Sequence, residues 1–341
     1  PFAEGYLPAG VVSEIRSARV PTTDEYLTFA REAFAAHHGR ANGRLRFMVA
    51  PSAPQRCEPA LLTGATEMAL EFAAECHIHV LETKTQLVTG DESYGGSLVS
   101  YMASIGALSP NTTLAHGIWL TDADMQTVAA AGASISHNPI SNLKLGSGIA
   151  AWRKLQNAGV NLGLGTDGCS SSDSPRMLDV IKTAALLHKV TEPGIDQWPT
   201  VAEVLAAATI GGARSAVLDD VVGSLEVGKQ ADLVIYDLET MAFTPRQKLD
   251  LQLVYSENGS SIDIVMVQGR VVVAGGEVIT VDERAARAEL TERLEEIIER
   301  QDRLDERNQA VMPGLARMYE RATSTPGAVN RFSGDERAWL V

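Results

Sequence analysis

Short apolar runs alternate along the chain with longer stretches whose apolar residues recur every three to four positions. Residues 46–50 (RFMVA) read as a strand, and residues 60–75 as the amphipathic helix that follows. The step repeats with strands at 77–81 (HIHVL), 112–115, 133–136 (ASIS) and 161–165 (NLGLG), and helices at 97–105, 122–131, 149–158, 175–187 and 201–217. Such alternation predicts parallel βαβ units. Beyond residue 217 the pattern changes. Residues 231–238 (ADLVIYDL), 261–268 and 270–274 are β-rich, with punctuation at Gly228, Gly269, Gly275 and Gly276, which predicts part of a separate small sheet. Residues 282–321 are charged and helical, with Leu290, Leu294, Ile297 and Ile298 on one face. That face is either packed under solvated outer faces or a homo-oligomer contact. The residues after Thr323 read as loosely ordered.

Composition narrows the picture. The apolar share of 45% is enough to build a sizeable core, which excludes a disordered chain. A net charge of −14 argues against nucleic acid as a partner, since phosphate binding needs a basic face. No run of 18 apolar residues is present, so no membrane span is expected. Three scattered cysteines, Cys57, Cys76 and Cys169, are too few for a disulfide framework or a thiolate zinc site. A reducing, cytoplasmic setting is expected. The chain starts at Pro1 without a Met or a leader pattern, which reads as a processed chain or a fragment.

Four polar signals fall at or just after predicted strand ends: His79 and Glu82 in HIHVLET, His116 in LAHG, His137 in SHNP, and Asp167 in LGTDG. A parallel barrel carries its active site at that end. Singly, a strand histidine is ordinarily a packing residue and an Asp before Gly a turn residue. Three imidazoles and two carboxylates on consecutive strand ends favour a metal or acid–base site. His79 and Asp167 are 88 residues apart, three βα steps at nearly the ~31 residues of an eight-unit barrel. Imidazole plus carboxylate suits Zn²⁺ or Fe²⁺.

The blocks SHNPISNLKLGSGIA (136–150) and LGTDGCSSSDS (164–174) resemble the amidohydrolase superfamily. They are most similar to its branch of S-adenosylhomocysteine/methylthioadenosine, guanine, 8-oxoguanine and pterin deaminases and s-triazine hydrolases. IHVLET, LAHG, ATIGGARS (208–215) and GSLEVGKQADLVIYD (223–237) match the same branch in order, so the resemblance covers about residues 44–278. It implies an α/β fold, a (β/α)8 TIM-like barrel. It implies one divalent metal, with Zn²⁺ preferred over Fe²⁺, and a small heterocyclic substrate such as a purine, pterin or triazine. His79 resembles the metal-ligating His of strand five, and Asp167 the strand-eight Asp that ligates metal and takes a proton from the attacking water. His116 resembles the His that polarises the water or the tetrahedral oxygen. Glu82 resembles the Glu that carries a proton to the ring nitrogen, and His137 shapes the site. The implied reaction is hydrolytic deamination at a cyclic amidine carbon; dechlorination or dealkylamination of a triazine is the alternative.

Part of the family pattern is missing. The family carries an H-x-H pair on strand one, and the only H-x-H here is His77-Ile78-His79, too close to Asp167 to leave room for six intervening strands. The count therefore places only strands four to eight in this chain, and leaves the role of His77 open. The expected organisation is 1–217 as the C-terminal part of a barrel, 218–278 as part of a small β-sandwich domain, and 279–341 as a C-terminal helix and tail. The expected parent is about 450–480 residues long. The chain alone is then expected to be catalytically incomplete, or a non-catalytic binding module, with weak metal affinity. In the segment Ala50-Pro51-Ser52-Ala53-Pro54-Gln55-Arg56, Ser52 replaces the His or Cys of the family motif. Gln55 and Arg56 either read a heterocycle edge or form a loop rim. Trp119 either stacks on a flat ring or packs.

Overall fold

The computed structural model describes residues 4–192 and 194–332. Four strands, β1 (Cys76–Val80), β2 (Thr112–His116), β3 (Ser134–His137) and β4 (Asn161–Leu164), form one parallel sheet in chain order. Each begins and ends within about two residues of the sequence expectation. Capping residues set the start of some of the helices around these strands. Thr121 and Asp124 form a reciprocal capping box ahead of Asp122–Ala130, and Thr200 and Glu203 do the same ahead of Val201–Ala206.

Two expected elements differ. Residues 46–50 do not form a strand; only Val49 bridges in parallel to Cys76. Pro51 lacks an N–H, and the pairing slips: His77 N–H donates to the Val49 carbonyl, whereas His79 N–H donates to that of Ser52. Three residues on one side oppose two on the other, a bulge that ends the ladder. The helix expected over 201–217 is interrupted by a π turn at Ala207–Gly211 before Gly212–Ser215. Gly211 lies against the Leu162 carbonyl, where a Cβ would come within 2.1 Å.

The register sorts the side chains. His77, Thr113, Ser134 and Asn161 share a row, as do His79, Ala115, Ser136 and Gly163. This face is polar and small. Ile78, Val80, Leu114, Ile135, Leu162 and Leu164 alternate onto the other face and join the main buried core with Trp152, Val180 and Ala184. At the N-terminal end of the polar face the helix at 212–215 is hydrogen-bonded in place. Thr113 donates to the Ser215 carbonyl at 2.7 Å, and Asn161 to Ser134, Ser215 and the Gly211 carbonyl.

His137 lies on the apolar face, behind the strand end rather than among the site's polar side chains. It is 1% exposed, its Nε2 is 3.1 Å from Nε2 of His188, and Trp152 packs against both rings. Period-two alternation from Ser136, which is on the polar face, turns His137 away.

A second sheet is antiparallel, with β5 (Leu233–Tyr236), β6 (Ile262–Val267), β7 (Arg270–Ala274) and β8 (Glu277–Val278) in that order. Gln268-Gly269 and Gly275-Gly276, all at positive φ, make the tight turns. Among the described residues this is one sheet. Gln268 joins it to the N-terminal region, accepting from Arg44 and donating to the Asn42 carbonyl. Glu283–Glu292 and Leu294–Gln309 bury no residue, while Met312–Ser324 packs against Lys84–Ser93. The stretch after Thr323 is docked up to Phe332, contrary to expectation; residues 333–341 lie outside the described residues. Arg331 donates to the Ile118 and Leu120 carbonyls, its own carbonyl accepts from Ile149 N–H, and Phe332 meets the edge of Trp119.

Two predictions follow from this packing. Arg331→Ala leaves two buried carbonyls without their donors, so chemical denaturation should show a loss of about 1–3 kcal/mol. An unchanged midpoint would mean the tail does not hold these loops. The second concerns acid. Burial lowers the His188 pKa to about 4, and burial followed by the neighbouring His188 and His116 holds His137 well below its ordinary value. Both are neutral when folded, so below the unfolded pKa of about 6.5 the unfolded chain binds more protons. Their stabilising contribution is complete above pH ~6.5 and is lost as pH falls toward 4, by about 3 kcal/mol for His188 alone. Melting curves of His188→Gln should be less stable at pH 7 but flatter between pH 6.5 and 5. An equally steep slope would count against this origin.

Candidate active site

The site is built at the C-terminal ends of the parallel strands, where the chain turns sharply. Leu81 after β1, His116 at the end of β2 and Asp167 after β4 all have positive φ (52°, 72° and 60°). Non-glycine residues enter this region rarely, and such strain concentrates at functional sites. Gly165 lets β4 reach the turn: a Cβ there would lie 2.4 Å from the Asn138 side-chain oxygen.

Four of the expected residues are brought together. The rings of His79 and His116 stack with centroids 5.7 Å apart and planes 23° apart. His116 Nε2 is 4.0 Å from a Glu82 carboxylate oxygen. Both imidazoles are near enough to Asp167 to act on its charge. Burial raises the Asp167 pKa, but hydrogen bonds from the Ser141 hydroxyl (2.6 Å) and the Gly168 amide (2.7 Å), with His116 and His79 adding to them, outweigh it. The carboxyl is held below its ordinary range.

Each imidazole is anchored through Nδ1. His79 Nδ1 lies 2.7 Å from the Ser52 carbonyl and His116 Nδ1 2.8 Å from the Asn142 side-chain oxygen. A carbonyl only accepts, so Nδ1 carries the proton and Nε2 keeps its lone pair. His79 is exposed and His116 is 1% exposed. Glu82 is placed by Gln86, whose side-chain oxygen accepts the Glu82 amide at 2.7 Å. Its carboxylate accepts from the Ser147 hydroxyl at 3.5 Å.

The residues supporting this arrangement were missed in the sequence reading. The 136–150 block carries its weight through Ser141, Asn142 and Ser147 rather than through His137. The available signal was polar residues inside the short helix Pro139–Lys144, where Ser141 and Asn142 are buried. Of the two readings of Trp119, its surroundings match packing: it is 0% exposed, and its indole N–H donates to the Ser147 carbonyl. His77 is paired with Glu75 at 2.7 Å. Gln55 is half-buried and Arg56 exposed, in the turn Pro54–Arg56 close behind Ser52.

Among the described residues, no group of three or more His, Cys, Asp or Glu side chains is placed to hold a metal ion. His79 and Asp167 nevertheless present donors of the right chemistry. One is an imidazole with Nδ1 fixed and Nε2 free, the other a carboxylate kept ionised. The chemistry of these two donors suits a divalent metal. No helix among the described residues is long and apolar enough to cross a membrane.

Comparison with known proteins agrees with this geometry. The profile of the Amidohydrolase family matches residues 6–272. A 5′-deoxyadenosine deaminase of Methanosarcina acetivorans is 39% identical over 265 residues, covering 78% of this chain and 61% of that protein. A 5-methylthioadenosine/S-adenosylhomocysteine deaminase of Desulforudis audaxviator is 40% identical over 249 residues, covering 72% and 57%. Among solved structures, an adenosine deaminase from Xanthomonas campestris with bound zinc superposes with a TM-score of 0.76 at 32% identity, covering 80% of this chain and 62% of that one. The zinc complex of atrazine chlorohydrolase TrzN from Arthrobacter aurescens gives 0.76 at 25% identity, covering 81% and 61%. The chain thus spans about three fifths of the length of the relatives it matches. Its strands, their polar ends and the matched profile together make this chain a member of the amidohydrolase family.

Proposed function

We propose that the site catalyses hydrolytic deamination of an aminated N-heterocycle, with an adenine nucleoside altered at its 5′ position as the substrate class. The observation that carries this reading is the position of His116. It is buried, with Nε2 facing Glu82 at 4.0 Å and its ring stacked on exposed His79. The relatives at 39% and 40% identity, both named for adenosine-type substrates, support the purine over the triazine alternative. Gln55 and Arg56 are the proposed readers of the heterocycle edge.

His79 and Asp167 would hold one divalent metal, zinc before iron, as in the two zinc-bearing neighbours. When bound, the metal would supply Lewis acidity and lower the pKa of a water from about 15.7 to about 7. Asp167, kept ionised by Ser141 and Gly168, is placed to accept a proton from the attacking water. Glu82 would pass its proton to the ring nitrogen, the proton taken by Asp167 would go to the leaving amino group, and the proton left on the added hydroxyl would return to Glu82 as ammonia departs. His116 Nε2, the polar atom facing Glu82, would polarise the attacking water or the tetrahedral oxygen. In the same reading 1–217 is the C-terminal part of a barrel, 218–278 is part of a small β-sandwich domain and 279–341 is a C-terminal helix and tail. The exposed Leu290, Leu294 and Ile297 serve a homo-oligomer contact, and three free cysteines fit the cytoplasm.

Two experiments test this reading. Ammonia release should be followed with excess zinc on 5′-deoxyadenosine, methylthioadenosine and adenosine, and chloride and alkylamine release on atrazine. The purines should react first, and Glu82→Gln should lower kcat about 10²–10⁴-fold with a smaller effect on KM. Turnover of atrazine alone would sink the purine assignment. Separately, two donors hold metal poorly, so dialysis against metal-free buffer should leave well under one zinc per chain, and His79→Ala less still. One retained zinc per chain would show that further residues complete the site.

A further inference from the structure

We propose that Asn142 is a positioning residue that sets the tautomer of His116 and so decides which imidazole nitrogen can accept a proton. Asn142 is 1% exposed and its side-chain oxygen lies 2.8 Å from His116 Nδ1. An amide oxygen has lone pairs and no proton, so the proton of neutral His116 resides on Nδ1. Nε2 then carries a lone pair. Across from it is a Glu82 oxygen at 4.0 Å, too far for a direct hydrogen bond and near enough for one group to sit between.

A second observation points the same way. The amide nitrogen of Asn142 is buried with no hydrogen-bond partner among the described residues. An unpaired buried donor is unfavourable, and an apolar side chain of similar size would avoid it. Keeping an amide here is therefore accounted for by its oxygen. The neighbouring Ser141 hydroxyl holds Asp167 at 2.6 Å, so consecutive residues of Pro139–Lys144 fix an imidazole and a carboxylate of the site.

The proposal rests on reading His116 as a group that acts at Nε2, and its test needs no turnover. The full chain is labelled with ¹⁵N in histidine, and the ring nitrogens are observed near neutral pH without added metal. The His116 signals are identified by their loss in His116→Gln. Wild type should show His116 protonated at Nδ1. Asn142→Leu should lose that pattern in favour of Nε2–H or a mixture, and Asn142→Asp, which keeps an acceptor, should restore it. A wild-type His116 protonated at Nε2 overturns the proposal, as does a folded Asn142→Leu chain that keeps Nδ1–H. Should Asn142→Leu not fold, wild type and Asn142→Asp decide: the proposal needs Nδ1–H in both, and its absence from either overturns it. The tautomer is read without substrate, so failure to deaminate any heterocycle would count against the functional reading alone.

Discussion

The parallel register of β1 to β4 is the constraint on which the rest depends. Pairing Val80 with His116, and Ser136 with Gly163, fixes which side chains share a face and which strand ends lie side by side. One face carries Ile78, Leu114, Ile135 and Leu162 into the core, and the other carries His77, His79, Thr113 and Asn161. A slip of one residue in any strand would exchange those faces. His79 would then go into the apolar core, and the polar ends of the strands would no longer converge.

Much of this was legible because period two and period 3.6 are properties of the chain itself. The four strands and their helices could be read directly, and so could the meeting of His79, Glu82, His116 and Asp167, since strand ends of parallel neighbours must gather. Residues 46–50 failed as a strand because Pro51 and the bulge at Ser52 act through hydrogen-bond pairing, which apolar content does not report. His137 is a different case. The motif marked the right segment, but the alternation from Ser136 to His137 aims its ring at His188.

The supports of the site were harder to see because they depend on long-range contact. Nothing local says that Asn142 meets His116, or that the Ser52 carbonyl meets His79, 27 positions away in the chain. The docked tail is a similar case. A stretch reading as loose is ordered because Arg331 finds the carbonyls of Ile118 and Leu120, more than two hundred positions earlier. The same loop positions Trp119, whose indole holds the Ser147 carbonyl, and the Ser147 hydroxyl in turn reaches Glu82. The tail thus braces the segment on which one of the two acidic groups rests.

Those two acidic groups sit in unequal surroundings, and that inequality supports separate roles for them. Both oxygens of Asp167 are occupied, one by Ser141 and one by the Gly168 amide, and two imidazoles add favourable charge. Such a carboxylate is fixed in place and kept ionised, as an acceptor or a metal donor requires. Among the described residues the Glu82 carboxylate takes one hydrogen bond, from Ser147 at 3.5 Å, and its facing imidazole stands off at 4.0 Å. A carboxylate held so lightly is free to change its hydrogen-bond partner, which a proton carrier must do between accepting a proton and delivering it. With Nδ1 of His116 committed to Asn142, the space between Nε2 and Glu82 is where a transferable proton has acceptors on both sides.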